Sequence, residues 1–144
     1  MLFNPGEKIF FKINTNLSLL GSSLFIACLA FSTFSYSKEI VISPGDDSQE
    51  RLQEAMILMS EGDTLVIKSG YYSFEDGLSL DVDNVIITGE GMDKTILDFK
   101  DQKSGAQGLL VTSDKVTLKD FAILDAKGDA LKVIGTKGIN MINL

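Results

Sequence analysis

The 144-residue chain has no histidine, no tryptophan, two prolines and a single cysteine. Each shortage removes chemistry. Without histidine there is no Ser-His or Cys-His nucleophile pair, and no imidazole to hold a metal. One cysteine, Cys28, excludes an intramolecular disulfide and any cysteine-built zinc cluster. Positive charge is also scarce: 13 Lys and Arg face 20 Asp and Glu, for a formal net charge of −7. Nucleic-acid binding needs clustered cations to neutralise phosphates, so no nucleic-acid partner is expected. The length allows one small domain.

What is present starts with a leader. Lys8 and Lys12 precede an uncharged apolar stretch, Leu17 to Phe31, and small residues follow at Ser35 and Ser37. A positive start, an apolar run of this length and alternating small residues are the layout of a secretory signal, with cleavage between Ser37 and Lys38. The run is shorter than the ~20 residues needed to span a bilayer. The expectation is therefore a signal peptide over residues 1–37 and an exported product, periplasmic or extracellular, with no stable membrane span. An uncut anchor is the alternative. Phe25-Ile26-Ala27-Cys28 also loosely resembles a bacterial lipoprotein box, which would put a lipid anchor on Cys28. The remaining residues, 38–144, hold 19 acidic and 11 basic side chains.

Those residues repeat. Leu78-Ser79-Leu80 is answered by Leu109-Leu110-Val111 and Leu131-Lys132-Val133; Val85-Ile86-Ile87 is answered by Val116-Thr117-Leu118 and Ile139-Asn140-Met141. Leu80, Val111 and Val133 are 31 and 22 residues apart, and Ile87, Leu118 and Met141 are 31 and 23 apart. Two strand series keeping nearly one spacing point to stacked coils. A third series matches Ile96-Leu97-Asp98 with Ile123-Leu124-Asp125, and the longer interval is absorbed by loops in 88–95 and 100–108. Three short strands per ~22-residue coil predict a triangular parallel solenoid whose alternate residues form one core. An antiparallel sandwich would not predict matched spacing across three series. Gly77, Gly108 and Gly128 each precede the first strand of a coil, where a left-handed turn residue is expected. Leu65 and Ile67, 20 residues before Val85 and Ile87, are expected to share their register.

The first coil needs a lid. A short strand, Ile40-Val41-Ile42, ends at Ser43-Pro44-Gly45-Asp46, after which Asp47 or Ser48 is placed to cap a helix and Asp47 with Glu50 has capping-box spacing. Leu52, Ala55, Met56 and Met59 make one apolar stripe, predicting an amphipathic capping helix over about 48–60. This helix, Glu61-Gly62-Asp63-Thr64-Leu65-Val66-Ile67 and Ser69-Gly70-Tyr71-Tyr72 together resemble the opening of right-handed parallel β-helix proteins of the pectate-lyase type. Residues 85–91, 95–98 and 128–133 resemble that family's coil segments. The fold class expected is thus mainly β: a right-handed parallel β-helix with an N-terminal capping helix, three to four coils and no C-terminal cap.

Enzymes of that family act on acidic polysaccharides, with Asp, Lys, Arg or His on a groove along the stacked sheets and often calcium. No residue here matches a catalytic motif of the family, so none is assigned a catalytic role, and no cofactor is expected in this chain. The metal candidates are Asp98 and Asp125, which the repeat would stack on adjacent coils; capping of their own turns is the competing role. Asp81, Asp83 and Asp93 read as turn and solubility residues. Tyr71 and Tyr72 are candidates for stacking on sugars or for packing beneath the lid. Lys115, Lys119 and Lys132 read as solvated. The functional expectation is an exported repeat protein, structural or polysaccharide-binding and catalytically incomplete. The alternative is the N-terminal part of a polysaccharide lyase or uronate epimerase with its active coils beyond Leu144. Self-association through an open edge at 140–144 is a third expectation.

Overall fold

A computed structural model describes residues 37–144. The expected signal segment up to residue 36, with Cys28, lies outside the described residues. The described chain is mainly β, with eleven strands in three parallel sheets and one helix. In order they are β1 (Glu39–Ile42), α1 (Ser48–Leu58), β2 (Thr64–Ile67), β3 (Gly70–Ser73), β4 (Leu78–Leu80) and β5 (Ile86–Thr88). Then follow β6 (Thr95–Asp98), β7 (Leu109–Val111), β8 (Thr117–Lys119), β9 (Ala122–Leu124), β10 (Leu131–Val133) and β11 (Asn140–Ile142).

Neighbouring strands in a sheet are never consecutive from β2 onward. The long sheet has order β1-β2-β5-β8-β11, the second β3-β6-β9 and the third β4-β7-β10. From β2 the chain therefore visits the three sheets in rotation, which is the connectivity of a stacked β solenoid. The expected columns are present. Leu80 pairs with Val111 and Val111 with Val133; Ile87 pairs with Leu118 and Leu118 with Met141. Leu65, Ile67, Leu80, Ile87, Leu97, Val111 and Leu118 are fully buried. Each such side chain contributes about 1.5–3 kcal/mol of burial. Phe74 and Phe99 stack at 4.8 Å between ring centres, filling the corner below the second sheet.

Two registers differ from expectation. Leu65 lies opposite Ile87, not Val85, so this interval is 22 residues. The two-residue slip keeps the same side chains inward, because strand faces alternate with period two. In the second sheet Leu97 pairs with Ile123 and Asp98 with Leu124. This slip is of one residue, which changes what each outward position meets. The repeat had aligned two look-alike Ile-Leu-Asp triplets; the buried Phe99 and Phe121 at the strand ends fix the actual frame.

Gly77, Gly108 and Gly128 are not left-handed, and the reason for glycine is crowding instead. A Cβ on each would sit 2.6 Å from the carbonyl oxygen of Gln107, 2.7 Å from that of Ala130 and 2.5 Å from that of Ala106. Four of the positive-φ positions recur where the chain enters the long sheet: Gly62, Asn84, Lys115 and Gly138. Backbone bonds tie this corner to the next turn, from Gly62 N–H to Asn84 O at 2.8 Å, from Asn84 N–H to Asp114 O at 2.9 Å and from Lys115 N–H to Lys137 O at 2.8 Å.

The helix packs on β1, β3 and β4, the first strand of each sheet. Leu52, Ala55, Met56 and Met59 are buried, as the apolar stripe requires. The capping box does not form. Asp47 occupies the N-cap without a side-chain capping bond, and its carboxylate instead accepts from Arg51 at 3.5 Å. Ser48 closes the preceding turn, accepting from Gly45 N–H at 2.8 Å and donating to Gly45 O at 2.5 Å.

Candidate functional site

The lid does more than cover apolar side chains. A parallel edge strand presents backbone groups that a preceding strand would otherwise bond. At β4 the substitute is a glutamine. Gln53 accepts from Ser79 N–H at 2.9 Å and donates to Ser79 O at 3.0 Å. One helical turn earlier, Gln49 accepts from Glu75 N–H at 2.7 Å and from Asp76 N–H at 3.3 Å. These residues fix the turn between β3 and β4 from one side.

The loop over 99–108 fixes it from the other. Lys103 Nζ lies 2.6 Å from a Glu75 carboxylate oxygen, and Ser104 Oγ donates to Asp76. The hydrogen bond to Glu75 and the surrounding carboxylates push the Lys103 ammonium pKa upward. Inside the loop Gln102 is buried; it donates to Gln107 O at 3.0 Å and accepts from Lys127 N–H at 3.2 Å. The loop is thereby braced to the next turn of chain.

Two clefts meet at Asp76. One, of about 220 Å³, is lined by Asp76, Ser79, Ser104, Gly105 and Gln107 over Leu110. The other, of about 340 Å³, lies between the helix and the turn and is lined by Asp46, Gln49, Glu50, Ser73, Glu75 and Asp76. Carboxylates, an amide and a hydroxyl dominate the second cleft, whereas the first sets Asp76, Ser79, Ser104 and Gln107 beside a larger apolar share that includes Leu78 and Leu110. A third cavity of about 220 Å³, between β1 and α1, is lined by Ile40, Ile42, Ala55 and Leu58 with Lys38, Arg51 and Glu54 at its rim.

The expected site residues fare differently. Asp98 is buried, but its carboxylate accepts from Lys100 N–H at 2.9 Å and from the Tyr71 hydroxyl. Asp125 is exposed, left-handed and one position beyond the residue that Asp98 pairs with, so the two carboxylates are not stacked in register. Among the described residues no group of three or more acidic, Cys or His side chains converges as a metal site. Asp83 and Asp114 do form a column: each accepts a backbone N–H at 2.7 Å from the next turn, Asp114 and Lys137 respectively. Tyr71 is exposed, while Tyr72 is buried, donates to Lys68 O at 2.8 Å, and has its hydroxyl pKa pushed up to about 12 by burial. Lys132 lies 3.7 Å from Asp129 and is half-exposed.

The sequence motif places Asp63 only in the opening turn, yet its carboxylate is buried and bonded through both oxygens. It accepts from Ser60 N–H and from Lys38 N–H at 2.8 Å each, and is held below the usual carboxylate range chiefly by those two bonds. Glu90 is similar on the surface: Ser69 N–H at 2.8 Å and Lys68 at 3.0 Å draw its pKa down to about 2. Sequence reasoning missed Gln49, Gln53, Gln102 and Asp76. The i, i+4 spacing of the two helix glutamines on one flank was the available signal.

No family model matches the chain, and comparison with curated proteins and with solved structures also finds no match.

Proposed function

We propose that this chain is an exported right-handed parallel β-helix of the pectate-lyase type, with about three to four coils, that binds polysaccharide and performs no chemistry on it. The rotation of the chain through three parallel sheets supports the solenoid, and the Glu61–Ile67 and Ser69–Tyr72 motifs support the family and its handedness. The single observation that carries the binding role is the cleft at Asp76. Its hydrogen-bonding wall of Asp76, Ser79, Ser104 and Gln107 beside an apolar floor at Leu110 suits sugar hydroxyls and the C–H face of a ring. A cleft of this size is smaller than the ~300–1,000 Å³ of sites that engulf small molecules, which suits a chain lying across the surface.

Charge sets the class of glycan. Asp46, Glu50, Glu75 and Asp76 line the two clefts, and the nearest cation, Lys103, is already paired with Glu75. Uronate polymers would meet like charge; neutral glycans would not. Titrating the full chain with neutral oligosaccharides and with oligogalacturonate, followed by calorimetry, tests the reading. Saturable binding of a neutral glycan that weakens in Ser104→Ala/Gln107→Ala is expected. Binding of neither glycan, or binding indifferent to both substitutions, refutes it. Export is tested separately by N-terminal sequencing of secreted protein.

A further inference from the structure

We infer that the segment around Asp63 is a binding site for the α-amine created when the leader is cut off, so that export processing strengthens the fold. The inference rests on the proposed cleavage between Ser37 and Lys38. In that hydrolysis water adds its hydroxyl to the Ser37 carbonyl carbon, the Ser37–Lys38 C–N bond breaks, and the amine of Lys38 takes up protons to become an ammonium. No co-reactant beyond water and a processing peptidase is needed.

The geometry already holds that nitrogen in place. Lys38 N–H donates to Asp63 Oδ1 at 2.8 Å, while Lys38 O accepts from Thr64 N–H at 2.9 Å as the first rung between β1 and β2. The other carboxylate oxygen, Oδ2, accepts from Ser60 N–H at 2.8 Å, which fixes the carboxylate to the exit of the helix. In the uncut chain Asp63 is 4% exposed. Ser37, by contrast, is exposed and contributes one hydroxyl bond to Gly62 O at 2.6 Å. Cutting before Lys38 therefore sacrifices little and converts a neutral N–H···carboxylate bond into a charged one. Charge-assisted bonds are roughly twice as strong as neutral ones.

The charged groups around the new terminus are few. The Lys38 ammonium side chain acts on Asp63 directly. Glu39 and Glu61 adjoin in sequence, and Arg51 and Glu54 of the helix share a cavity rim with Lys38. They are two cations and three acids, and Asp63 is the one that accepts directly from the Lys38 nitrogen. An α-amine that gains a carboxylate partner has its folded pKa raised above the ordinary ~8. Its contribution to stability is thus complete below about pH 8 and disappears as pH rises through the raised value.

The test starts from the full chain, exported and purified in processed form. Sequencing is expected to return Lys38 first; any other start overturns the cleavage reading and the inference with it. The processed protein is then acetylated on its α-amine in urea and refolded, a change that keeps the N–H donor and deletes the charge. The untreated protein is expected to melt about 4 °C or more above the acetylated one at pH 7. That gap is expected to close above pH 10 and to vanish in Asp63→Asn. Equal melting of the two forms with a Lys38 start would leave the export reading standing and refute the docking of the amine. A gap that persists in Asp63→Asn would refute the choice of Asp63 as partner.

Discussion

Replacing Gln53 by alanine isolates the part the helix plays in closing the edge of the third sheet. Gln53 is half-buried on α1, and its amide makes a two-way bridge to the backbone of Ser79, at 2.9 and 3.0 Å. Each bond is worth about 0.5–1.5 kcal/mol net. Ser79 is exposed, so water replaces part of what is lost, and the total falls at about 1–2 kcal/mol. For a domain near 100 residues, 1 kcal/mol moves the midpoint by about 4 °C, so a fall of about 4–8 °C is expected. Alanine is a slightly better helix former than glutamine, which biases the outcome the other way and makes a fall harder to attribute to α1 itself. Thermal unfolding by circular dichroism gives the midpoint, and hydrogen exchange at the Ser79 amide gives the local effect. A midpoint within a degree of the parent, with unchanged exchange at Ser79, would show that the bridge is incidental and that only apolar cover matters at this end.

Other perturbations test the core and the acid limb. Leu118→Asp puts a charge at a fully buried position between Ile87 and Met141, and loss of the cooperative transition is expected; an unchanged melting curve would contradict the inward column. Ser113 is buried with no hydrogen-bond partner for its hydroxyl among the described residues. Ser113→Ala is therefore expected to be neutral or stabilising by up to about 1 kcal/mol in urea unfolding, and a loss of 2 kcal/mol or more would reveal a missed partner. Asp63 and Glu90 both have depressed pKa values, Glu90 down to about 2. Their contribution is complete above the ordinary carboxylate range near pH 4 and is lost as pH falls towards 2, so unfolding free energy is expected to drop across that window. Asp63→Asn is expected to flatten the drop; an identical acid limb in the variant would deny Asp63 that role.

Much of the architecture was legible because periodicity is a property of the core itself. Residues such as Leu80, Val111 and Val133 face inward for the same reason in every turn, so spacing alone recovered their pairing. Where two frames were chemically alike, spacing could not choose between them. The triplets Ile96-Leu97-Asp98 and Ile123-Leu124-Asp125 invite alignment, yet Asp98 stands opposite Leu124. What decides the frame is the burial of Phe99 and Phe121, and a local pattern search weighs an aromatic after a strand no more than a loop residue. The capping box at Asp47 failed on similar grounds, since Arg51 offered its carboxylate a competing partner that matched spacing does not rank.

The cleft at Asp76 was illegible for a deeper reason. In a parallel stack the residues that meet are one turn apart along the chain: Asp76 meets Gln49 across 27 positions and Ser104 across 28. No single local segment contains the whole site: one wall comes from Asp76–Ser79 and the other from Ser104–Gln107, about a turn of chain later. Only the combination of register with the length of the 99–108 loop brings Ser104 and Gln107 beside β4. The same property makes Asp63 effective as an anchor, since Lys38 lies 25 residues before it yet abuts it in space. Three parallel sheets visited in rotation thus reserve their short-range signals for the core and distribute polar sites across turns. Substitutions at the polar residues Gln49, Glu75, Lys103 and Ser104, which join the helix, the turn and the loop, should accordingly show coupled effects at Asp76.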